Sequence, residues 1–368
     1  MMREISIKRP DDWHLHLRDG AMLAGVVADT AAHFERALVM PNLTPPITSI
    51  AEADNYRQRI KKALPRGNNF TPLMTLYMTE DMSPDTIASL AETDFIKAVK
   101  LYPLGATTNA HNGVADKAKI YPVLEQMEAS GVRLAIHGEV TDDDVDIFDR
   151  EKRFIDEVLI PLRHKFPGLK ITLEHITTKE AVDYVASCAT HLAATITVHH
   201  LFINRNHILA GGIRPHYYCL PVAKRESHRQ ALITAAISGD SRYFLGTDSA
   251  PHLDKDKLSA CGCAGIYTAP VAMACLAQLF DEAGALDKLE GFTSIYGTAW
   301  YGLPENETQL TLIRTAHPVN LPKSVRVGGE TLTVFDPMRD IYWSPAPSLV
   351  WQAKPKTTKR SAKKRHVS

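Results

Sequence analysis

The sequence predicts an α/β protein, a (β/α)8 barrel of the TIM type, and two observations support this prediction. Eight short apolar segments alternate with helical patterns along most of the chain, and most of these segments are apolar throughout rather than alternating with polar residues. Such strands are typical of parallel β/α units, and eight such units close a barrel of about 250 residues. Neither a repeat nor a change in composition requires a second domain, so we expect one barrel domain over residues 1–345.

The predicted elements follow one another in a regular order. The first strand is expected around His14 and His16, and the other seven at 36–42, 69–78, 95–102, 132–137, 170–175, 192–199 and 243–248. Helices are expected at 21–34, 49–64, from 83 onward, 116–130, 150–166, 179–188, 223–238, 268–284 and 292–303, and a small extra strand at 331–335. The helix at 49–64 starts with a capping-box pattern, Ser49 with Glu52.

Composition argues against several classes of protein. The 368 residues include 42 basic and 42 acidic ones, and no stretch approaches the ~20 apolar residues of a membrane span. Because a signal-peptide core and C-x-x-C pairs are both lacking, we expect a cytoplasmic protein without a disulfide framework or zinc ribbon. Lys354–Ser368 is basic and contains no acid, so we expect a disordered tail at 346–368 on an acidic body, with no nucleic-acid or membrane partner.

The pair His14-Leu15-His16 is the first candidate for chemistry. Side chains alternate between the faces of a strand, so both histidines point the same way and can converge on one metal ion. Arg18 keeps the same parity and can hold an anionic group beside that metal. Taken alone, the pair is equally compatible with a half-buried strand whose histidines meet ordinary hydrogen-bond partners.

Further polar side chains fall at the ends of predicted strands. Lys100 nearly ends the fourth strand, His137 ends the fifth, His175 the sixth and Asp248 the eighth. In a β/α barrel these ends form the face on which active sites are built. Each residue alone has an ordinary interpretation, such as a helix cap for Asp248. Five strands that all deliver metal-type ligands or charged groups to one mouth nevertheless predict a metal centre.

Lys100 distinguishes this set from a simple histidine zinc site. Lys97 and Lys100 have opposite parity in their strand, so only one of them faces the barrel interior. Metal ions repel an ammonium group, but burial lowers a lysine's pKa, and a neutral amine can take up CO2 to give a carbamate. Its two oxygens can bridge two cations about 3.5–4 Å apart. The alternative is a lysine that is neutral or salt-bridged for structural reasons.

These residues resemble the amidohydrolase superfamily and, more closely, its dihydroorotase family of the bacterial single-function type. The ligand pattern matches in order, and the similarity runs from about residue 3 to about residue 345 with no required position altered. The local matches are Trp13-His-Leu-His-Leu-Arg18, Met40-Pro-Asn42, Val99-Lys-Leu-Tyr-Pro103, Leu134-Ala-Ile-His-Gly-Glu139, Gly246-Thr-Asp-Ser-Ala-Pro-His252 and Cys261-Gly-Cys-Ala264.

The resemblance implies a metal set, a substrate site and an assembly. Two Zn2+ ions per subunit would share a hydroxide, one ion held by His14, His16, N6-carboxylated Lys100 and Asp248, the other by Lys100, His137 and His175. The implied substrate contacts are His16, Arg18, Asn42, His137 and His252, with the backbones of Leu220 and Ala264 at a ring amide. Thr107 and Thr108 would lie on a mobile loop that closes over the site. A homodimer is implied as well.

The activity that the resemblance implies is the reversible cyclisation of N-carbamoyl-L-aspartate to (S)-dihydroorotate, a step of pyrimidine synthesis, with Asp248 as general base and then acid. Another cyclic amidase, such as a hydantoinase, dihydropyrimidinase or allantoinase, would share the metal ligands. Arg18 with Asn42 and His252 favours an acidic substrate over these rivals. A metal-free assembly paralogue is the third possibility, although such proteins usually lack some of the ligands.

Overall fold

The structure is a computed structural model that describes residues 3–346, so the tail expected at 346–368 lies outside them but for its first residue. Within the described residues the strands are β1 (Arg3–Lys8), β2 (Asp11–Leu15), β3 (Arg36–Val39), β4 (Thr71–Tyr77), β5 (Ile96–Leu101), β6 (Arg133–His137), β7 (Ile171–Glu174), β8 (Leu192–Ile196), β9 (Tyr243–Leu245), β10 (Gln309–Arg314), β11 (Ser324–Val327), β12 (Glu330–Thr333) and β13 (Trp343–Pro345).

The helices alternate with the strands. They are α1 (Gly20–His33), α2 (Ile50–Ala63), α3 (Pro84–Leu90), α4 (Tyr121–Ser130), α5 (Arg150–Phe154), α6 (Ile160–Lys165), α7 (Lys179–Ser187), α8 (Val198–Phe202), α9 (Arg205–Leu209), α10 (Glu226–Ile237), α11 (Asp254–Lys257), α12 (Ala272–Glu282) and α13 (Tyr296–Trp300). A π-helical stretch at Ile155–Leu159 joins α5 to α6, and another at Gly291–Ile295 precedes α13. No helix in residues 3–346 is long and apolar enough to cross a membrane.

The strands β2 to β9 form one sheet in sequential order, and all seven ladders between neighbours are parallel. Two backbone hydrogen bonds link its ends: the Asp248 N–H donates to the His14 carbonyl at 2.8 Å, and the His16 N–H donates to the Ser249 carbonyl at 3.1 Å. The predicted (β/α)8 barrel is therefore confirmed, and its seam passes through the residues of the expected metal site.

A second, antiparallel sheet of order β1-β10-β13 brings the start and the end of the described chain together, beside a β11-β12 hairpin. Of these five strands, only β12 was predicted from the sequence. A signal for β1 was available, because Ile5 and Ile7 alternate with polar residues, as in a half-buried strand.

The lower half of the barrel is filled by an apolar cluster. The Trp13 ring stacks on Tyr301 from the segment after α13, with ring centroids 4.4 Å apart. Ala98 and Ala135 belong to the same cluster. They precede Lys100 and His137 by two residues, so they lie on the same side of their strands, one layer below. The polar residues therefore sit on a packed floor, at the open end of the barrel.

Most predicted elements lie within a few residues of the observed ones, and the capping box of Ser49 and Glu52 is confirmed. The expectation of strand at 192–199 is wrong at its end. β8 stops at Ile196, and α8 begins at Val198 because the Thr197 hydroxyl caps it by accepting from the His200 N–H at 3.0 Å.

Candidate metal centre and substrate pocket

The six expected ligands all lie at the carboxyl ends of barrel strands and are buried. Two of them leave their strands abruptly: His175 has φ 42° and Asp248 has φ 45°. Left-handed backbone at a residue other than glycine costs about 1–3 kcal/mol and persists only where the surroundings enforce it. Here the His175 N–H donates to the Thr195 hydroxyl at 2.7 Å, and Asp248 is held by its bond to His14. These turns aim both side chains at the mouth.

His14, His16 and Asp248 form the first group of metal-type donors. The two Nε2 atoms of the histidines lie 3.2 Å apart, and Asp248 Oδ1 is 3.1 Å from His16 Nε2 and 3.4 Å from His14 Nε2. Burial lowers the pKa of His16 to about 4. Burial by itself would raise the pKa of Asp248, but His14 and His16 beside it hold that pKa below its usual range. At neutral pH the group therefore offers an uncharged His16 imidazole and an anionic carboxylate, the forms that bind metals.

His14, Glu174 and His175 form a second donor group next to the first. His14 Nδ1 is 2.8 Å from Glu174 Oε2, and the rings of His137 and His175 have centroids 4.7 Å apart. Lys100 is fully buried, and its amine contacts Glu174. Burial lowers the pKa of Lys100, which Glu174 in part restores. Lys97 is partly exposed, so the side chains of the two lysines lie on opposite faces of β5, as their positions in the strand predicted.

The donors of this centre fit divalent metal ions. His175 Nδ1 and Glu174 Oε1 are buried without a hydrogen-bond partner among residues 3–346. Leaving such a group unsatisfied costs about 1–3 kcal/mol, which coordination to a cation would offset. Imidazole nitrogens and carboxylate oxygens suit Zn2+ and several other divalent ions. His137 differs, because its Nε2 lies 3.1 Å from Glu139 Oε2.

A third group of donors, His199, His200 and Cys219, comes from α8, which follows β8, and from the segment before Leu220. His200 Nδ1 lies 2.9 Å from the Thr197 hydroxyl, and His200 Nε2 lies 3.0 Å from the Pro221 carbonyl. Both nitrogens of His200 therefore have partners, which ties α8 to the segment around Pro221, whereas both ring nitrogens of His199 are buried without a hydrogen-bond partner among residues 3–346.

Arg18 and His252 form the polar wall beside the metal ligands. Arg18 Nη2 is 2.9 Å from His252 Nε2, and Arg18 Nη1 is 3.5 Å from His16 Nδ1. The Tyr56 hydroxyl donates to the Arg18 carbonyl at 2.6 Å and fixes this turn, in which Arg18 has φ 55°. Burial and then Arg18 lower the pKa of His252 to about 2, so this imidazole is neutral and accepts from the guanidinium.

A cavity opens above the ligands. Its lining comprises His14, His16, Arg18, Asn42, Tyr102, Thr107, Thr108, His137, His175, Leu220, Asp248, Ala250, Ala264 and Gly265. Lys100 and His252 are the two expected site residues outside this lining. Lys100 lies beside it, with Nζ 5.0 Å from the centroid of the Tyr102 ring, and His252 lies next to Arg18.

The segment carrying Thr107 and Thr108 lies across this cavity. The Asn42 amide donates to the Thr108 carbonyl at 3.1 Å, and the Asn109 amide donates to the Asn42 carbonyl at 2.9 Å. The Thr108 hydroxyl donates to the Ala264 carbonyl at 3.4 Å. The segment thus contacts both the residues after β3 and the residues after β9, while its mobility stays a prediction.

Two polar residues of this site were not predicted from the sequence. Glu174 contacts both Lys100 and His14, and its signal was present, since it ends β7 directly before His175. Tyr102 lines the cavity with a buried hydroxyl that has no partner among residues 3–346. Burial raises the pKa of Tyr102 well above its usual value, which keeps the hydroxyl as a donor. Its position directly after β5 was the available signal.

Comparisons with known proteins agree with this geometry. The model of the amidohydrolase family matches residues 11–312. A dihydroorotase of Rhizobium leguminosarum bv. trifolii is 60% identical over 342 residues, 93% of this chain and 99% of that protein. The crystal structure of dihydroorotase from Campylobacter jejuni superposes with TM-score 0.85 at 34% identity, covering 94% of this chain and 98% of that one. An L-hydantoinase from Arthrobacter aurescens, at 13% identity and TM-score 0.71 over 90% of this chain and 86% of that one, shares the fold.

Proposed function

The chain belongs to the amidohydrolase family and, within it, to the dihydroorotases, and from this premise we propose how its residues carry out the reaction. It is a hydrolase of cyclic amides that interconverts N-carbamoyl-L-aspartate and (S)-dihydroorotate. One observation carries the assignment of roles: a buried set of imidazole and carboxylate donors lies directly beside the Arg18–His252 pair. Metal chemistry and recognition of an anion therefore meet in one pocket.

We propose two Zn2+ ions per subunit, bridged by Lys100 after its amine has bonded to CO2 and released a proton. His14, His16 and Asp248 would hold one ion with Lys100, and His137 and His175 would hold the other with it. Supporting this are the complete burial of Lys100, its lowered pKa and the unpartnered atoms of the donor set. When bound, such ions supply Lewis acidity and lower the pKa of water towards neutrality.

The substrate carboxylate would pair with Arg18, whose guanidinium forms a planar fork of donors. Asn42 and His252 would complete the carboxylate site, and the backbone groups of Leu220 and Ala264 would meet the ring amide. His16 and His137 line the same cavity and would lie against the substrate. The Thr107–Thr108 segment would open for entry and then exclude bulk water.

Asp248 would move the proton. Its pKa is held low by His14 and His16, so its carboxylate is available as a base at neutral pH. In hydrolysis Asp248 accepts the proton of the attacking water and gives it to the ring nitrogen as the C–N bond breaks. In cyclisation Asp248 takes the proton from the carbamoyl nitrogen as the ring C–N bond forms, and gives it to the substrate carboxyl oxygen that departs. General acid–base catalysis of this kind typically contributes ~10²–10⁴-fold.

We also propose the domain organisation, cellular location, oligomeric state and partners that the sequence suggested. Residues 1–345 would act as one unit in the cytoplasm, as a homodimer that binds a small-molecule substrate and neither nucleic acid nor membrane. The excess of acidic residues in the chain before Lys354 supports the lack of nucleic-acid binding.

The decisive experiment measures hydrolysis of dihydroorotate and of uncharged dihydrouracil by the same preparation, with metal quantified per chain. We expect dihydroorotate turnover, two metal ions per chain and little dihydrouracil turnover. Turnover of dihydrouracil alone would favour another cyclic amidase. A well-folded protein without metal or turnover would favour the non-catalytic assembly subunit.

A further inference from the structure

Lys257 is a buried cation that the proposed mechanism does not use. It ends the short helix α11 and is 3% exposed, although the next residue, Leu258, is 62% exposed. Lys257 forms no ion pair with any carboxylate of residues 3–346. Burying an ammonium group is costly unless other groups replace its water. The structure around Lys257 must therefore supply those groups.

Three backbone carbonyls surround the amine. Lys257 Nζ donates to the carbonyls of Tyr218 at 2.7 Å, Cys263 at 2.8 Å and Gly265 at 2.9 Å. An ammonium group has three donors and no acceptor, so every N–H of Lys257 is used. Hydrogen bonds from a charged donor are about twice as strong as neutral ones. Burial lowers the pKa of Lys257 to about 8, which leaves the amine largely protonated at neutral pH.

The three carbonyls belong to two chain segments that line the substrate cavity. Tyr218 lies two residues before Leu220, and Cys263 and Gly265 flank Ala264 on both sides. The Gly265 N–H also donates to the Tyr218 carbonyl at 3.0 Å. The amine thus joins the segments 218–220 and 263–265, of which the first contributes Leu220 and the second Ala264 and Gly265 to the cavity lining.

The second segment also supports the carboxylate side of the pocket. Gly265 has φ +149°, and a Cβ placed on it would lie 2.7 Å from the Ala250 carbonyl oxygen and 2.8 Å from Cδ2 of His252. Gly265 therefore packs closely against His252, which in turn bonds to Arg18. A shift of the 263–265 segment would therefore displace both the proposed ring-amide contact at Ala264 and the proposed carboxylate contact at His252.

We propose that Lys257 is a positioning residue for the substrate, which clamps the segments 218–220 and 263–265 so that the backbones of Leu220 and Ala264 meet the ring amide together. The proposal rests on the proposed function of these two backbones. It assigns Lys257 a role in substrate recognition through other groups, without contact between its amine and the substrate.

The test compares Lys257→Met, which keeps the apolar stem and removes the three donors, with Lys255→Met on the same helix. Lys255 is exposed, and its amine lies 3.3 Å from Glu330 at the surface. We expect Lys257→Met to raise KM for dihydroorotate at least 10-fold, because small displacements of positioning groups cost up to about 10²-fold. The metal content should stay at the wild-type value and kcat should change only a few-fold, since these backbone contacts bind ground and transition states alike. Lys255→Met should match the wild type.

A merely structural role would give a different result. Partial unfolding lowers the active fraction, and therefore kcat, at unchanged KM. Lys257→Gln retains two donors and should give an intermediate KM, which keeps the test informative if the methionine variant does not fold. An unchanged KM in a folded Lys257→Met protein, or a loss confined to kcat, overturns the proposal.

Hydrogen exchange separates failure of the clamp from failure of the proposed function. In ligand-free protein the Gly265 amide should exchange faster in Lys257→Met than in Lys255→Met. If the wild type turned over no dihydroorotate, the function would fail while the exchange result would still report on the clamp. Unchanged exchange at Gly265 would show that Lys257 does not hold these segments together.

Discussion

Gly246 lies between β9 and Asp248 in a space that has no room for a methyl group. A Cβ built there would lie 2.8 Å from Thr195 Cβ and 2.9 Å from His14 Cβ, whereas ordinary contacts begin at 3.4 Å. Gly246→Ala therefore requires His14 or the barrel seam to move by about half an ångström. Metal sites hold their ligands to within about 0.5 Å, so this shift is large enough to loosen metal binding by His14, one of the proposed ligands.

We expect Gly246→Ala to weaken metal binding and kcat/KM each about 10- to 100-fold. Overpacking should also lower the free energy of unfolding by about 1–3 kcal/mol. Metal per chain after dialysis, dihydroorotate hydrolysis at saturating added metal and the denaturant midpoint measure these three effects separately. Added metal should restore part of the activity, because the ligand is displaced rather than removed.

Gly168→Ala is the matched control. Its added Cβ would lie 3.0 Å from Glu128 Oε1, the far end of a flexible side chain remote from the barrel mouth. This variant should retain metal and activity. If Gly246→Ala bound two metals with wild-type affinity and kept kcat/KM within about twofold, the barrel seam would be more compliant than these distances imply, and the reasoning would be refuted.

Three further predictions address the metal bridge, the proton and the barrel floor. Lys100→Ala should lose metal and activity, with partial rescue by a small carboxylic acid; full activity without additive would exclude the bridging role. Asp248→Ala should keep its circular-dichroism spectrum and lose ~10²–10⁴-fold in kcat, so near-normal turnover would remove it as the proton carrier. Trp13→Ala should lower the free energy of unfolding by about 3–5 kcal/mol in a denaturant titration, since it empties a stacked, fully buried position, and a cost below about 1 kcal/mol would contradict the packing described here.

The fold was predictable because its signals are local. Each barrel strand is a short apolar run, and a capping box or Ser-Pro start can be recognised within four residues. The end of β8 was misplaced because Thr197 and His199 are compatible with either strand or helix until the Thr197 cap is seen. The β1-β10 pairing joins residues about 300 positions apart, and no local signal reports such a partner.

The candidate site shows the same difference between local signals, which the sequence contains, and long-range contacts, which it does not reveal. A polar residue at the end of an apolar run can be recognised from the sequence alone, which is why the sequence could predict His14, His137 and Asp248. Glu174 also ends a strand and could have been found in the same way, but its contacts with Lys100 and His14 join strands that are far apart in the sequence and could not be predicted. Lys257 gave no signal at all. It lies in a charged, exposed stretch, and only the fold shows that its amine points inward onto three carbonyls.

The electrostatics of the pocket provide a reason for selecting an acidic substrate. Arg18 is a cation that forms no ion pair with a carboxylate of residues 3–346; its partners are the neutral His252, His16 Nδ1 and the Pro251 carbonyl at 3.4 Å. Lys257 likewise forms no ion pair with a carboxylate of these residues, but carbonyls use all three of its donors, whereas the partners of Arg18, which lines the cavity, leave two of its five donors unused. A largely desolvated cation favours an anion. Dihydrouracil would leave Arg18 unpaired, so with Arg18 in its proposed role the pocket would discriminate against dihydrouracil by an uncompensated charge as well as by a missing contact.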